Sequence, residues 1–233
     1  VTRLAVVVPS RGRPKNIERL ASVFVQPWSK AELHVVIDSD DPEEAEYEKV
    51  LDRFLSTDDR VQLTAGPRKR LIPTLNEYAL HLAECETYDH IGFMGDDHLP
   101  RTKKWDTSIA DALDEPGVGI VYGDDLLQGE MLPTAVFMRA SIVRALGYFA
   151  PPRLVHLFAD NAWKTWGQRA GCLKYLPVVT IEHLHFLNGK APADERYAEV
   201  NSGEMYNRDQ VAYRHYEGTG LAYDVKKIKA VMA

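Results

Sequence analysis

The sequence predicts an α/β fold built on a mostly parallel sheet, and three observations carry that expectation. Short apolar runs without alternation, at Leu4–Val8, Leu33–Ile37 and His90–Met94, read as strands buried on both faces. Stretches with apolar residues at helical spacing separate them, as in Ile17, Leu20, Ala21 and Phe24. Three of the strands end in polar, chemically capable residues, and in an open α/β sheet ligands bind beyond the carboxyl ends of the strands.

Each element follows in order. Leu4–Val8 is stopped by Pro9, and Ser10 to Pro14 is a turn. Asn16 is the expected cap of the first helix. The second strand ends in Asp38-Ser39-Asp40-Asp41-Pro42, and Pro42 opens an acidic helix reaching Leu55. Val61–Leu63 is a short third strand, and Leu71–Ala83 a helix. His90–Met94 is a strand ending in the turn Gly95-Asp96-Asp97-His98. Trp105–Leu113 is helical, and Val118–Tyr122 is a strand running into Gly123-Asp124-Asp125. A strand at Thr134–Met138 and a short helix at Ser141–Leu146 follow. The helix Asp160–Ala170 stops at Gly171. Leu173–Ile181 is a strand ended by Glu182-His183-Leu184-His185. The polar, tyrosine-rich remainder holds one final helix near Asp224–Val231.

Composition excludes several classes. A formal net charge of -6 argues against capture of extended nucleic acid. Basic clusters at Arg11, Arg13 and Lys15, at Arg68, Lys69 and Arg70, and at Arg101, Lys103 and Lys104 suit a small anionic ligand better than a polyanion. Two cysteines, Cys85 and Cys172, lack metal or redox spacing, so a reducing, cytoplasmic setting is expected. The first apolar run is too short for a signal-peptide core, and no segment suits a membrane span.

The Asp96-Asp97 pair is the sharpest chemical feature. Hard divalent cations take carboxylate oxygens, and a diphosphate supplies others. An Asx-turn or helix cap would also explain two adjacent aspartates. Gly95 favours the ligand reading, because it lets the backbone approach a bound group closely. His183-Leu184-His185 on an extended segment would point both rings to one face, a second candidate for metal or phosphate.

These residues resemble the GT-A glycosyltransferases, especially the large family-2-like group. Val6-Val7-Val8-Pro9-Ser10-Arg11-Gly12-Arg13 resembles their opening strand and nucleotide loop. Val35-Val36-Ile37-Asp38-Ser39-Asp40-Asp41 resembles the strand whose aspartate receives the nucleobase. Ile91-Gly92-Phe93-Met94-Gly95-Asp96-Asp97-His98 resembles the approach to the DxD motif, and Phe158-Ala159-Asp160-Asn161-Ala162-Trp163 the acceptor-side motif. Between these, Val136–Phe149 resembles the segment written as an Arg, a short helix and Gly-Gly-Phe. Two positions depart from the pattern: Gly95 stands at the first DxD aspartate, and Ala159 where a glutamate is usual.

The resemblance implies a GT-A, Rossmann-like sheet flanked by helices with a C-terminal acceptor-side extension. It implies a catalytic domain over 1–190, divided at about 100 into nucleotide and acceptor halves, with 191–233 as a tail or lid on the same domain. Pro9, Ser10 and Arg11 would line the nucleotide loop, and Asp38 or Asp40 would receive the base, taken as uracil. Arg68, Asn76 and Asp96 would contact the donor, and Asp124 its sugar hydroxyls. Asp97 and His185, with His183 as the alternative, would bind Mn²⁺ or Mg²⁺. Asp160 would be the base of an inverting transfer from a nucleoside-diphosphate sugar to a hydroxyl acceptor. A nucleotidyltransferase and a non-catalytic nucleotide- or sugar-binding module are the alternatives. Asn188-Gly189-Lys190 is loop-like enough to belong to a lid.

Overall fold

In the computed structural model, which describes residues 3–191, 199 and 202–233, the N-terminal apolar run forms β1 (Leu4–Ser10) near the middle of the sheet. Its side chains alternate between two cores. Ala5 and Val7 join one cluster, while Leu4, Val6 and Val8 join the other. Burial on both faces is the reason the run shows no polar alternation.

β2 (Glu32–Asp38) pairs parallel with β1, and β3 (Val61–Gly66) parallel with β2. β4 (His90–Phe93) flanks β1 on its other side, also parallel. The crossovers are α1 (Pro14–Phe24), α2 (Glu44–Leu55) and α3 (Leu71–Glu84). The first four strands therefore deliver their carboxyl ends to one edge.

The second half comprises β5 (His98–Pro100), α4 (Trp105–Asp114), β6 (Ile120–Asp124), β7 (Val136–Arg139), α5 (Ala140–Leu146), α6 (Ala159–Ala170) and β8 (Leu173–His183). α7 (Gly203–Thr219) and α8 (Leu221–Met232) close the chain. The strand order is β3-β2-β1-β4-β7-β6-β8-β5. β7 runs antiparallel to both β4 and β6, and β5 antiparallel to β8. The sheet is thus mixed and largely parallel. Gly123 sits at an irregularity between β6 and β8, where a Cβ would collide with the Val179 carbonyl.

Three local expectations change. Asn16 does not cap α1: Pro14 opens the helix from Arg13, because proline's fixed φ suits the first turn and its missing N–H costs nothing there. His98 closes the expected turn, its N–H donating to the Gly95 carbonyl at 3.0 Å, but it also starts β5, an unexpected edge strand too short to show a period. Among the described residues the tail carries two helices instead of one. Ser202 accepts from the Met205 N–H to start α7, and the tyrosines that looked like polar loop are buried at Tyr213 and Tyr216 beside Leu221 and Ile228. Among the described residues no helix is long and apolar enough to cross a membrane.

Candidate functional site

The ends of β1, β2 and β4, the start of α6 and the end of β8 enclose a cavity of about 460 Å³. Pro9, Ser10, Arg11, Asp38 and Arg68 line one side of it. Asp96, Asp97, His98, His183 and His185 line its floor, and His156 to Asp160 line the facing wall.

Asp96 is occupied by the protein itself. Ser10 Oγ donates to its Oδ2 at 2.7 Å, and Arg13 Nη1 to its Oδ1 at 3.0 Å. Tyr47 completes this knot: its Oη lies 2.7 Å from Ser10 Oγ and accepts from the Arg13 N–H. Burial and then the charge of Asp97 raise the Asp96 pKa against the pull of Arg13. Asp96 therefore braces the turn, with Arg13 reaching 3.9 Å from Asp97 Oδ2.

Asp97 faces two imidazoles. Its Oδ1 is 3.3 Å from His98 Nδ1, and its Oδ2 is 3.4 Å from His183 Nε2. Burial opposes its ionisation, yet His183 and His98 together outweigh that and hold it well below the usual carboxylate range. His98 and His183 are direct partners in the β5–β8 register, and their rings stack with centroids 4.2 Å apart. Ligand atoms of Asp97, His98 and His183 lie within 4.8 Å of one another. One carboxylate and two imidazoles form a donor set suited to a divalent transition cation, and the buried His183 Nδ1 has no hydrogen-bond partner. The residues present fit a metal.

A second layer sets the His98 tautomer. The Gly95 N–H donates to His98 Nδ1 at 3.1 Å, so that nitrogen carries a lone pair. Nε2–H must then donate to Thr134 Oγ1 at 3.2 Å, and Thr134 in turn donates to Asp125 Oδ2 at 2.7 Å. Burial and the neighbouring His183 lower the His98 pKa, which agrees with a neutral ring. Asp125 is itself pinned, its Oδ1 accepting the N–H groups of Leu127, Gln128 and Gly129. Its Oδ2 also lies 3.8 Å from His183 Nδ1. Burial works against a charged His183, but Asp125 and Asp97 on either side push its pKa up to about 9.

The remaining expected site residues divide by position. Asp38 accepts from Arg11 at 3.0 Å with Arg68 Nε 3.8 Å away, all beside the cavity. Asp40 also pairs with Arg11, but its carboxylate is mostly in solvent and does not line the cavity. Asn76 lies behind it, clamping the backbone of Phe149 and Ala150 through three hydrogen bonds. Asp124 turns its Oδ1 back to the Leu126 N–H and does not line the cavity, while its neighbour Asp125 stands behind the cluster against Thr134 and His183. His185 lines the cavity outside the metal-type cluster, its ring 4.9 Å from His183 and its Nδ1 accepting from Leu187 N–H. Asp160, in the first turn of α6, faces the cavity with its pKa raised by burial.

His98, Asp125, Thr134 and Tyr47 are the contributors that sequence reasoning did not single out. His98 and Asp125 each sat one residue beyond a quoted aspartate. The signal that selects His98 is the β5–β8 register, which pairs it with His183, 85 positions away, and leaves no local pattern.

No protein-family model matches the chain, and no curated protein sequence does. Solved structures do match its fold. A mannosyltransferase from Pyrobaculum calidifontis in complex with GDP-Man and Mn²⁺ superposes with a TM-score of 0.62 at 16% identity, covering 98% of this chain and 73% of that one. TarS 1-349 of S. aureus in complex with UDP-GlcNAc gives 0.54 at 14% identity, covering 93% and 73%. Glucosyl-3-phosphoglycerate synthase from Mycobacterium tuberculosis, with Mn²⁺, UDP and glucosyl-3-phosphoglycerate, gives 0.57 at 10% identity, covering 90% and 80%. Likenesses that span nine-tenths of the chain or more place its architecture plainly: the chain has the GT-A glycosyltransferase fold.

Proposed function

We propose that this protein is a metal-dependent glycosyltransferase that moves a sugar from a nucleoside-diphosphate donor, UDP-linked, to a hydroxyl acceptor with inversion. The observation that carries the reading is the convergence of Asp97, His98 and His183 on one point of a cavity that also holds Asp38 and Asp160. Solved structures of the same fold contain GDP-Man, UDP-GlcNAc or UDP together with Mn²⁺ in two of the three, which supports a nucleotide-sugar donor and that cation. Two imidazole ligands favour Mn²⁺ over Mg²⁺, which prefers an oxygen shell.

In this reading the nucleoside lies across Pro9 and Ser10, and Asp38 accepts the uracil N–H while Arg11 and Arg68 steady its carboxylate. Asp97, His98 and His183 hold the cation, and His185 adds a polar wall beside them. When bound, the cation offsets negative charge on the departing diphosphate. Arg13, braced on Asp96, adds positive charge at the same end. Asp160 takes the acceptor hydroxyl proton as that oxygen attacks the anomeric carbon opposite the diphosphate. The C–O bond to the acceptor forms as the bond to the diphosphate breaks. The raised pKa of Asp160 makes it a stronger base than an exposed carboxylate. Residues 1–190 form the catalytic unit, and 191–233 the extension on its acceptor side.

The test is a calorimetric titration of UDP, GDP and their sugars with Mn²⁺ or with chelator, alongside donor hydrolysis. Mn²⁺-dependent binding, abolished in Asp97→Ala and kept in Asp160→Ala while turnover stops, is the expected result. Equal nucleotide binding with chelator, or pyrophosphate release from a nucleoside triphosphate and a sugar phosphate, would overturn it.

A further inference from the structure

We infer that Asp209, in the C-terminal helix α7, is the positioning residue for the acceptor-facing wall of the cavity; the inference rests on the glycosyltransferase reading above. Asp209 is fully buried, at 0% exposure. Its carboxylate accepts three consecutive backbone N–H groups: Val155 at 3.1 Å, His156 at 2.8 Å and Leu157 at 2.7 Å. A buried carboxylate is tolerated when donors are fixed around it, and such charge-assisted bonds are short and directional. This one gathers the segment that leads into Asp160, more than fifty residues earlier in the chain.

That segment would not hold its shape by itself. Phe158 has φ 67° and ψ 6°, a left-handed conformation that favours glycine, and it sits at the N-cap of α6 with no side-chain cap. Its ring stacks on Tyr213 of α7 at 5.6 Å. Tyr216 of α7 accepts from Trp166 Nε1 at 2.6 Å, which ties the same helix to α6 beyond Asp160. The α7 helix therefore grips both sides of the turn that carries Asp160. His156, Leu157, Phe158, Ala159 and Asp160 all line the cavity, so Asp209 sets the wall from behind without touching a ligand.

A second buried carboxylate in the same helical pair supplies the control. Asp224 in α8 is 1% exposed and accepts the hydroxyls of Tyr148 and Tyr216, each at 2.6 Å. Neither tyrosine lines the cavity. Asp224→Asn keeps an oxygen acceptor for both hydroxyls, so Tyr216 still holds Trp166, and the variant should lower thermal stability and leave turnover per folded molecule unchanged.

The experiment compares full-length wild type, Asp209→Asn, Asp209→Glu and Asp224→Asn. It reads Mn²⁺–UDP affinity, kcat and KM for UDP-sugar hydrolysis, and amide exchange at Val155, His156 and Leu157. For both Asp209 variants we expect nucleotide affinity within twofold of wild type, kcat lower by about 100-fold, as displacement of a reacting group by about 1 Å implies, and faster exchange at the three amides. Asp209→Glu keeps the charge and shifts it by one methylene, so it separates placement from folding if Asp209→Asn is unstable. Wild-type kcat in either folded variant overturns the inference, as does a fall in nucleotide affinity that parallels the fall in kcat. Wild type with no Mn²⁺-dependent nucleotide binding would instead overturn the glycosyltransferase reading, before any variant is measured.

Discussion

Thr134→Val tests the tautomer relay behind the metal-type cluster. Thr134 Oγ1 accepts from His98 Nε2 at 3.2 Å and donates to Asp125 Oδ2 at 2.7 Å, which leaves His98 Nδ1 with its lone pair 3.3 Å from Asp97 Oδ1. Valine fills the same volume, so no water can replace the hydroxyl, and it offers no acceptor. His98 then gains by moving its proton to Nδ1, where a charge-assisted bond to Asp97 replaces the neutral bond from the Gly95 N–H. Restoring the ligand form strands a buried N–H, at a cost of about 1–3 kcal/mol. At about 1.4 kcal/mol per tenfold, this weakens cation binding roughly 5- to 150-fold, a span that brackets the roughly 10- to 100-fold usual for groups that orient a metal ligand.

The charge of Asp125 is untouched by this change, and its loss of one donor pulls the His183 proton more tightly, which weakens metal binding further. Asp125→Asn is the poorer test, since removing that charge lowers the His183 pKa and favours the metal at neutral pH. The assay is calorimetric titration of Mn²⁺ in the presence of UDP for wild type, Thr134→Val and Thr134→Ser. Serine keeps the hydroxyl and is expected to bind within twofold of wild type. Refutation is a folded Thr134→Val whose Mn²⁺ affinity equals that of wild type.

Three further outcomes are expected. Gly95→Ala should weaken Mn²⁺ binding by tenfold or more, because a Cβ there would stand 2.7 Å from Asp97 Oδ1 and 3.0 Å from His98 Nδ1; titration of the variant checks it. Asp160→Asn should abolish transfer yet raise the melting temperature at neutral pH. The sign follows from burial: a raised carboxyl pKa means that ionisation costs the folded state, so the wild type is penalised above the ordinary carboxylate range and the gain shrinks as pH falls through it. Melting curves of both proteins at pH 7.5 and pH 4.5 measure the difference. Tyr47→Phe should leave the Arg13 N–H without its acceptor and cost about 1–3 kcal/mol of stability, read by denaturant titration.

Legibility in the sequence follows the range of the interactions. β1, β2 and the crossover helices were readable because burial on both faces writes a continuous apolar run and helical spacing is local. The direction of β7 was not, since nothing in Val136–Arg139 states which neighbour it pairs with; its antiparallel place between β4 and β6 comes from the turn through Gly129 to Leu132. The helices of the tail were half hidden because tyrosine serves as their core residue, with Tyr216 tied to Trp166 and Asp224. At the site, the aspartate strand ends were visible one by one. Which of two neighbouring acids supports the cluster was not: Asp125 lies buried against Thr134 and His183 while Asp124 turns back to the Leu126 N–H, beside the irregular β6–β8 pairing.

One of the two departures from the resembled pattern acquires a meaning in three dimensions. Gly95, where a carboxylate is usual, has no room for any side chain, because Asp97 and His98 fold back over its Cα. The turn is a tight one in which the backbone N–H of Gly95 directs His98, and in the proposed reading a facing strand supplies His183 in place of the first carboxylate. Replacing a carboxylate by two imidazoles lowers the negative charge of the set and lets one of its members be protonated. With His183 pushed up to about 9, a proton sits between Asp97 and Asp125 at neutral pH and must leave for the ring to become a ligand. The sign is fixed: cation affinity rises with pH up to about 9 and levels off above it, by about tenfold per pH unit where one proton is displaced. Mn²⁺ titrations at pH 6.5, 7.5 and 8.5 in buffers of different ionisation enthalpy count that proton directly. Affinity that is flat across the range, with no proton released, would show that His183 is not part of the set.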